Sequence, residues 1–446
     1  MKLRRTPATS RRPVGHVVLL AAGMGLAAGV PASLAFASGA NVAGASTFRA
    51  AAGYPSAQTV TIAPGTGGNL QYAFVDRQGT VYWRAETSTG WSAWAPLSAS
   101  QKNGKTLTPS SMITWAPGSA GSTMELFGED GGSVYVTWLT GTTWSTWTVL
   151  SATSSTPDAF GGEITYAPGA GSAVQEVFAI DADSLGASTG YLYEKTEVGG
   201  GWGKWTKVGT RIFHYDFTGI TYAPGSNGST QELFVSTFGA KPAPTTQTAT
   251  PHAYVTWSTG GTWHTWVTFA PGDAVVPWGP ITYAPGSNGS LQEVFSVGFD
   301  TASTAYGAIV DWENPNGTWS GWVTMTKPAT AAEGFYTSRV TYAPGSNGSL
   351  QELFAITKTQ CGVWVDWENP GGTWAGWHSM GAVPPNLQYT YQGYFNWFSM
   401  SDATGSNGSL QEIAATSTTA THPVYVQWEN PGGTWSGWTV WSATTS

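Results

Sequence analysis

Cysteine, charge and long apolar runs are scarce in this chain of 446 residues. A single cysteine, Cys361, rules out an intrachain disulfide and a metal site built from several thiolates. Charged residues make up 10% of the chain, and the lysines and arginines after residue 45 form no cluster, which argues against a nucleic-acid partner. After the first 37 residues, no apolar run is long enough to cross a membrane as a helix.

The first 37 residues have the pattern of a secretion signal peptide. Five basic residues precede the apolar stretch Val17–Val30, and Ala35-Phe36-Ala37 forms a small-x-small cleavage site. We therefore predict cleavage after Ala37 and a secreted, extracellular protein, with an uncleaved anchor as the alternative. The chain after residue 45 carries a net charge of −13. Residues 38–58 are predicted to be a linker, with an extra strand as the alternative.

Tryptophan is abundant, and fourteen of the 25 tryptophans form seven evenly spaced Trp-x-x-Trp pairs. The second tryptophans of successive pairs are 53 to 61 residues apart. A fixed period of this size is typical of a repeat architecture. The pairs are Trp91/Trp94, Trp144/Trp147, Trp202/Trp205, Trp263/Trp266, Trp319/Trp322, Trp374/Trp377 and Trp435/Trp438.

Each repeat consists of four short apolar segments separated by turn residues. In the sixth unit, the turns read APGSNGS and NPGG, where Pro fixes φ and Gly or Asn accepts a positive φ. The segments are rich in β-branched and aromatic residues, which favours strands, and Gly, Pro or a cluster of turn residues interrupts every candidate helix. Seven units of four strands predict an all-β protein, a seven-bladed β-propeller of four-stranded antiparallel blades spanning 59–446. The predicted units are about 59–98, 113–151, 164–208, 220–269, 281–325, 340–380 and 398–441.

The tryptophan pairs are interpreted as packing between blades. A spacing of three residues on a regular strand places the two indoles on opposite faces of the blade. In a propeller both faces are covered by neighbouring blades. Burying one indole removes roughly 150 to 250 Å² from water, which stabilises the fold by about 4 to 6 kcal/mol at most.

Two kinds of connection alternate along each unit. The first-to-second and third-to-fourth turns are short and repetitive and would lie on one face of the ring. The other connections are long and variable and would lie on the opposite face. Insertions in repeat proteins often collect on a binding face, so we expect the functional site there. The long connections are 181–189, 239–252, 298–305 and the aromatic-rich 381–397.

The strings LQELFAI at 350–356 and VWVDWENPGGTWAGW at 363–377 resemble the repeat of PLL-like seven-bladed β-propeller lectins, and more loosely tectonin repeats. The resemblance covers all seven units and is strongest in units five to seven. It implies a lectin fold with shallow sugar pockets between adjacent blades, lined by aromatic residues and a few polar groups. Units one to four depart from the WENPGGTW string.

The candidate carbohydrate-binding residues lie on the third strand and in the repeated Gln-Glu of the second. A pyranose ring needs an aromatic plate and placed hydrogen-bonding groups. The plates would be third-strand tryptophans and the acceptors would be glutamates. The predicted set is Trp312, Glu313, Trp367, Glu368, Trp428, Glu429, Glu293, Glu352 and Glu412. Their regular recurrence favours a structural alternative, in which the glutamates accept hydrogen bonds from backbone or indole N–H groups in every blade.

These features favour a secreted, non-catalytic, lectin-like propeller that binds glycans or glycoconjugates and needs no metal or other cofactor. The enzyme alternative is a sialidase-like glycoside hydrolase, because NPGGTW resembles the Asp-box of sialidase propellers. Against it, the few arginines share no repeat position and no single carboxylate pair stands out. A protein-binding or structural secreted propeller is the third interpretation.

Overall fold

A computed structural model describes residues 59–77, 80–97, 113–150, 160–181, 189–213, 216–238, 252–269, 275–300, 305–325, 335, 339–356, 362–381, 400–416 and 424–441. Within these ranges the regular elements are β-strands, and no helix able to cross a membrane is found. The predicted leader 1–37, the linker 38–58, Cys361 and most of the long connections lie outside the described residues.

The strands form seven separate antiparallel sheets, each made from one contiguous stretch of chain, which we number blades 1 to 7. Blade 1 comprises Thr59–Pro64, Gln71–Arg77, Thr80–Thr87, Gly90–Trp91 and Ala95–Pro96. Blade 2 comprises Thr114–Pro117, Met124–Asp130, Ser133–Thr140, Thr143–Trp144 and Thr148–Val149. Blade 3 comprises Phe160–Pro168, Gln175–Asp181, Thr189–Val198, Gly201–Trp202 and Thr206–Phe213. Blade 4 comprises Asp216–Pro224, Gln231–Phe238, His252–Thr259, Thr262–Trp263 and Val267–Phe269.

Blades 6 and 7 divide in the same way, with the fourth strand in two pieces, whereas blade 5 has its first strand in two pieces and a fourth strand of one short piece. Blade 5 comprises Val275–Pro277, Thr282–Pro285, Gln292–Asp300, Ala305–Glu313 and Val323–Thr324. Blade 6 comprises Thr341–Pro344, Gln351–Ile356, Val363–Asn369, Thr373–Trp374 and His378–Ser379. Blade 7 comprises Met400–Thr404, Gln411–Thr416, Val424–Asn430, Thr434–Trp435 and Thr439–Val440. The prediction of a seven-bladed β-propeller with four-stranded antiparallel blades is confirmed.

The fourth strand of every blade is interrupted by a bulge. In blade 6, Trp374 pairs with Glu368 and His378 pairs with Val365 on the third strand. Four residues of the fourth strand therefore span three of the third, and one extra residue in one strand is the definition of a β-bulge. The same offset occurs in the other six blades.

The bulge makes the prediction about the orientation of the tryptophan pairs wrong. Trp374 and Trp377 both belong to the core between blades 5 and 6, so both indoles contact the preceding blade. The other six pairs behave in the same way. The extra residue shifts the side-chain alternation by one, so positions i and i+3 fall on the same face. The interpretation of the pairs as packing between blades is confirmed.

The first indole of a pair meets a phenylalanine on the second strand of the preceding blade. Phe354 and Trp435 show the geometry, with ring centroids 5.7 Å apart and planes at 80°. Edge-to-face contacts of this kind stabilise aromatic pairs beyond the area they bury. Six interfaces contain such a pair: Phe74–Trp144, Phe127–Trp202, Phe178–Trp263, Phe234–Trp319, Phe295–Trp374 and Phe354–Trp435.

Among the described residues, blades 7 and 1 close the ring by packing, and each of the two blades is built from its own contiguous stretch of chain. Val60 and Ile62 pack against Ala414 and Val426 in one core cluster. Arg84 lies in this interface, with its guanidinium 5.2 Å from the ring centroids of Trp91 and Trp94 and 5.4 Å from that of Trp441. Burial lowers the pKa of Arg84 to about 10.

Two buried aspartates support the bulges of blades 5 and 6. Asp311 and Asp366 are fully buried, and each accepts a hydrogen bond of 2.9 Å from a glycine N–H in the bulge, Gly321 and Gly376. The second carboxyl oxygen of each has no hydrogen-bond partner. Burial raises the pKa of both aspartates to about 7, since it penalises the charged form.

We predict that stability falls as the pH rises from about 4 to 7. The folded state holds protons on Asp311 and Asp366 up to about pH 7, whereas the unfolded chain releases them near pH 4. The free energy of unfolding should therefore fall by up to about 1.4 kcal/mol per pH unit for each group. The double variant Asp311→Asn/Asp366→Asn should show a smaller slope. Urea unfolding at pH 5 and 7.5 measures this, and an unchanged slope contradicts it.

Candidate functional site

The APGSNGS turn is held by the glutamate that follows it on the second strand. In blade 6, Glu352 Oε1 accepts hydrogen bonds from Ser346 N at 3.0 Å, Ser346 Oγ at 2.9 Å and Ser349 Oγ at 2.7 Å. Gly345 is required by close packing, because a Cβ atom there would lie 2.3 Å from the Ser349 carbonyl oxygen. The turn asparagine, Asn347, has a φ of 45°, which a short amide side chain tolerates better than most.

The same carboxylates connect neighbouring blades. Glu293 of blade 5 accepts a hydrogen bond of 2.5 Å from Gln351 of blade 6 on its Oε2 atom. Gln351 also donates to Glu368 Oε2 at 2.8 Å, within its own blade. Asn288, in the blade 5 turn, donates to Glu368 Oε1 at 2.5 Å and completes the crossing. A buried polar network is therefore continuous across this interface, and each of its members restrains the next.

The six predicted glutamates all lie in these networks. Each is between 4% and 6% exposed and accepts hydrogen bonds from turn residues of its own or the preceding blade. Burial raises the pKa of Glu412 and Glu429. This placement agrees with the structural alternative, and their role as sugar ligands stays a prediction. Of the six, Glu313 lines one of the clefts described below.

The three predicted tryptophans are half-buried on the third strands. Trp312 packs against the core between blades 5 and 6, Trp367 against that between blades 6 and 7, and Trp428 against that between blades 7 and 1. Trp367 also stacks on His378, with centroids 4.5 Å apart. These contacts cover part of each ring, and the predicted role in stacking on sugars stays a prediction.

Two clefts of the same construction open between blades. Cleft 2/3 lies between blades 2 and 3, has a volume of about 560 Å³ and is lined by Ser119, Ala120, Gly121, Ser122, Glu125, Val136, Trp138, Thr140, Thr148, Val149, Leu150, Lys195, Glu197, Gly200 and Trp202. Cleft 4/5 lies between blades 4 and 5, has a volume of about 700 Å³ and is lined by Ser226, Asn227, Gly228, Ser229, Glu232, Val255, Trp257, Thr259, Val267, Thr268, Glu313, Asn316, Gly317 and Trp319. Both volumes are in the usual range for small-ligand sites.

Each cleft combines a partly exposed indole with polar turn groups. Trp138 is 36% exposed, and both it and Trp257 occupy the third-strand position of the predicted Trp312. Trp257 is half-buried and stacks on His264, with ring centroids 5.0 Å apart. Sequence reasoning missed these two, because their blades lack the WENPGGTW string. The shared pattern Tyr-Val-Thr-Trp at 135–138 and 254–257 carries the signal that could have found them.

The clefts open at the short turns. The APGSNGS-type turn of one blade and the third-to-fourth turn of the next form the rim. We expected the site on the face of the long connections, and most residues of those connections lie outside the described ranges. Among the described residues, both clefts therefore lie at the face of the short turns, opposite to the face predicted from the sequence.

Cleft 2/3 also contains a buried cation. Lys195 is 6% exposed, its ammonium donates to the Leu150 carbonyl oxygen, and it lies 5.4 Å from the ring centroid of Trp205. Burial lowers the pKa of Lys195. The equivalent positions of the other blades hold Arg84, Thr137, Thr256, Asp311, Asp366 and Gln427.

Neither a family model nor a curated protein matches the sequence. Among solved structures, the chain is similar to the BP39L lectin from Burkholderia pseudomallei, at 15% identity and a TM-score of 0.58, with 87% of this chain and 100% of that chain covered. It is also similar to a polysaccharide lyase, the PL25 ulvan lyase, at 12% identity and a TM-score of 0.52, with 84% and 92% covered. These likenesses show the β-propeller fold.

We predict that the amide of Asn407 stabilises ring closure. Asn407 Nδ2 donates to Glu86 Oε1 at 2.8 Å across the interface between blades 7 and 1. The variant Asn407→Gly keeps the left-handed turn but leaves the buried carboxylate with one donor fewer, which should cost about 1 to 3 kcal/mol in unfolding free energy.

The control is the double variant Asn407→Gly/Glu86→Leu, because blade 1 and blade 2 naturally combine Gly67 with Leu139 at these positions. It should be more stable than the sum of the two single effects predicts, as measured by urea unfolding. Additive single effects would show that the amide and the carboxylate do not interact.

Proposed function

We propose that this protein is a secreted, non-catalytic, lectin-like propeller that binds glycans in the clefts between its blades. One observation carries the proposal: a partly exposed third-strand indole stands beside a polar turn twice in the ring, in cleft 2/3 and in cleft 4/5. The similar structures share the fold alone, so the proposal depends on the clefts.

The chemistry of a pyranose matches this arrangement. One face of the ring presents C–H groups, which stack on an indole, and the rim presents hydroxyl groups, which need donors and acceptors. In cleft 2/3 the exposed face of Trp138 provides the plate, and the Thr140 and Thr148 side chains lie beside it in the same lining. In cleft 4/5, Trp257, Asn227 and Thr268 provide the same combination.

The repeated clefts suit the protein to bind a surface that displays many sugars, in preference to a single sugar molecule. Two clefts of one construction lie in one ring, and both are lined by the short turns of the same face. Weak individual sites held at fixed separation gain avidity toward a surface that displays many copies of one sugar. A cell-surface or extracellular polysaccharide is therefore the proposed partner.

We predict that Trp138→Ala weakens glycan binding at least about tenfold without unfolding the protein. The side chain is 36% exposed, so its loss removes the stacking plate while little of the core is disturbed. Trp257→Ala should act in the same way at cleft 4/5, and the double variant should lose most binding. Glycan-array screening of the secreted protein followed by calorimetry measures this.

The matched control is Leu291→Ala, which removes a side chain of 38% exposure that lines neither cleft. Its binding should equal that of the unaltered protein. Two outcomes contradict the proposal: no binding to any sugar on the array, or cleavage of a glycan that a single carboxylate substitution abolishes.

A further inference from the structure

The seven interfaces provide an internal comparison at one pair of positions. The first position is the residue with a left-handed backbone in the APGSNGS-type turn of one blade. The second position lies on the third strand of the next blade, where it pairs with the residue that takes the glutamine position of the second strand. At four interfaces an asparagine amide meets a glutamate, at 2.5 Å in three cases and 2.8 Å in the fourth. The pairs are Asn227–Glu313, Asn288–Glu368, Asn347–Glu429 and Asn407–Glu86.

Two further interfaces lack both partners. Gly67 of blade 1 corresponds to Leu139 of blade 2, and Gly171 of blade 3 corresponds to Ser258 of blade 4. In six of the seven interfaces, therefore, the amide and the carboxylate are present together or absent together. This pattern is expected if a buried carboxylate needs the amide to satisfy it.

The interface between blades 2 and 3 is the exception. Ala120 takes the asparagine position, with a φ of 46°, and Glu197 takes the glutamate position. Ala120 contacts the neighbouring blade as the asparagines do: a Cβ atom on Gly200 would lie 3.3 Å from the Ala120 side chain, and one on the equivalent Gly317 would lie 2.7 Å from the Asn227 amide. The carboxylate is thus present without its amide.

Glu197 is buried and incompletely satisfied. Its side chain is 3% exposed, and its Oε2 atom has no hydrogen-bond partner. The residue lines cleft 2/3 together with Ala120 and Trp138. A buried carboxylate that lacks donors is unfavourable, so a ligand that brings a donor to the Glu197 carboxylate gains more than one that does not.

We propose that cleft 2/3 selects neutral sugars, one hydroxyl of which donates to Glu197 Oε1, the carboxylate oxygen that the asparagine amide reaches in four other interfaces, while the ring stacks on Trp138. This inference rests on the proposed function and assigns a chemical class to one of its sites. The ammonium of Lys195, on the lining of the same cleft, provides a donor for an adjacent hydroxyl. A neighbouring pair of hydroxyls can then donate to the carboxylate and accept from the ammonium. Uronic and sialic acids are disfavoured, because their carboxylates approach Glu197.

The test restores the missing amide with Ala120→Asn. Asparagine is the residue that four other blades place in this backbone conformation, so the variant should fold and its melting temperature should equal or exceed that of the unaltered protein. Its side chain should bond Glu197 and occupy the sugar position. Affinity of cleft 2/3 for neutral methyl glycosides (glucoside, galactoside, mannoside and xyloside) should fall at least about tenfold, as measured by calorimetry in a Trp257→Ala background.

A second variant separates charge from shape. Glu197→Gln keeps the volume of the side chain but replaces the carboxylate, and it should weaken neutral-sugar binding in the same background while methyl glucuronide gains affinity relative to methyl glucoside. Leu291→Ala in the Trp257→Ala background is the control and should bind as that background does.

The outcomes are distinguishable. If Ala120→Asn folds and binds neutral glycosides with unchanged affinity, the inference is overturned and the proposed function stands. If methyl glucuronide binds the Trp257→Ala protein more tightly than every neutral glycoside, the sugar class is overturned. If the unaltered protein binds no sugar on the array, the proposed function and this inference both fall.

Discussion

The structure depends on one constraint: each blade has two apolar faces, and only its neighbours can cover them. A four-stranded sheet of this length cannot bury its own faces, so the seven core clusters lie between blades and none lies within one. The contact of a fourth-strand indole with a second-strand phenylalanine of the preceding blade fixes the distance and angle between successive sheets. The ring must then close, because an open end would expose one such face.

The bulge in the fourth strand makes this packing directional. It places both indoles of a pair on the face toward the preceding blade, so one blade contributes tryptophans and the other contributes the surface that receives them. Every interface is thus built from two different faces. Head-to-tail contacts of this kind generate a closed ring when the rotation between units allows it.

Hydrogen bonds between polar groups add to the apolar packing at the interfaces between blades, and these hydrogen bonds differ from one interface to another. Around the ring, the glutamates, glutamines and turn asparagines satisfy one another across the interfaces. The interface between blades 2 and 3 keeps its apolar core and a hydrogen bond from Gln175 to Glu125, and it tolerates Ala120 opposite Glu197. A repeat protein can therefore change the chemistry of one cleft while six other interfaces maintain the fold.

The repeat period, the turn strings and the alternation of apolar segments determined the fold from sequence alone, because each unit has the local chemistry of strands and tight turns. The same pattern predicted that the tryptophans pack between blades. It did not give their orientation, since a bulge is a property of pairing with the third strand and leaves no mark in the spacing.

The site was predicted less well than the fold. The glutamates of Gln-Glu and WENPGGTW were chosen as candidates because they recur in the sequence, and they recur because they connect blades. Trp138 and Ala120 lie in a repeat that departs from the common sequence pattern. Only the tertiary structure shows that Ala120 faces a carboxylate 77 residues away in the next blade. Local sequence fixes the conformation of each strand and turn, whereas the satisfaction of a buried group depends on which distant residue the ring brings beside it.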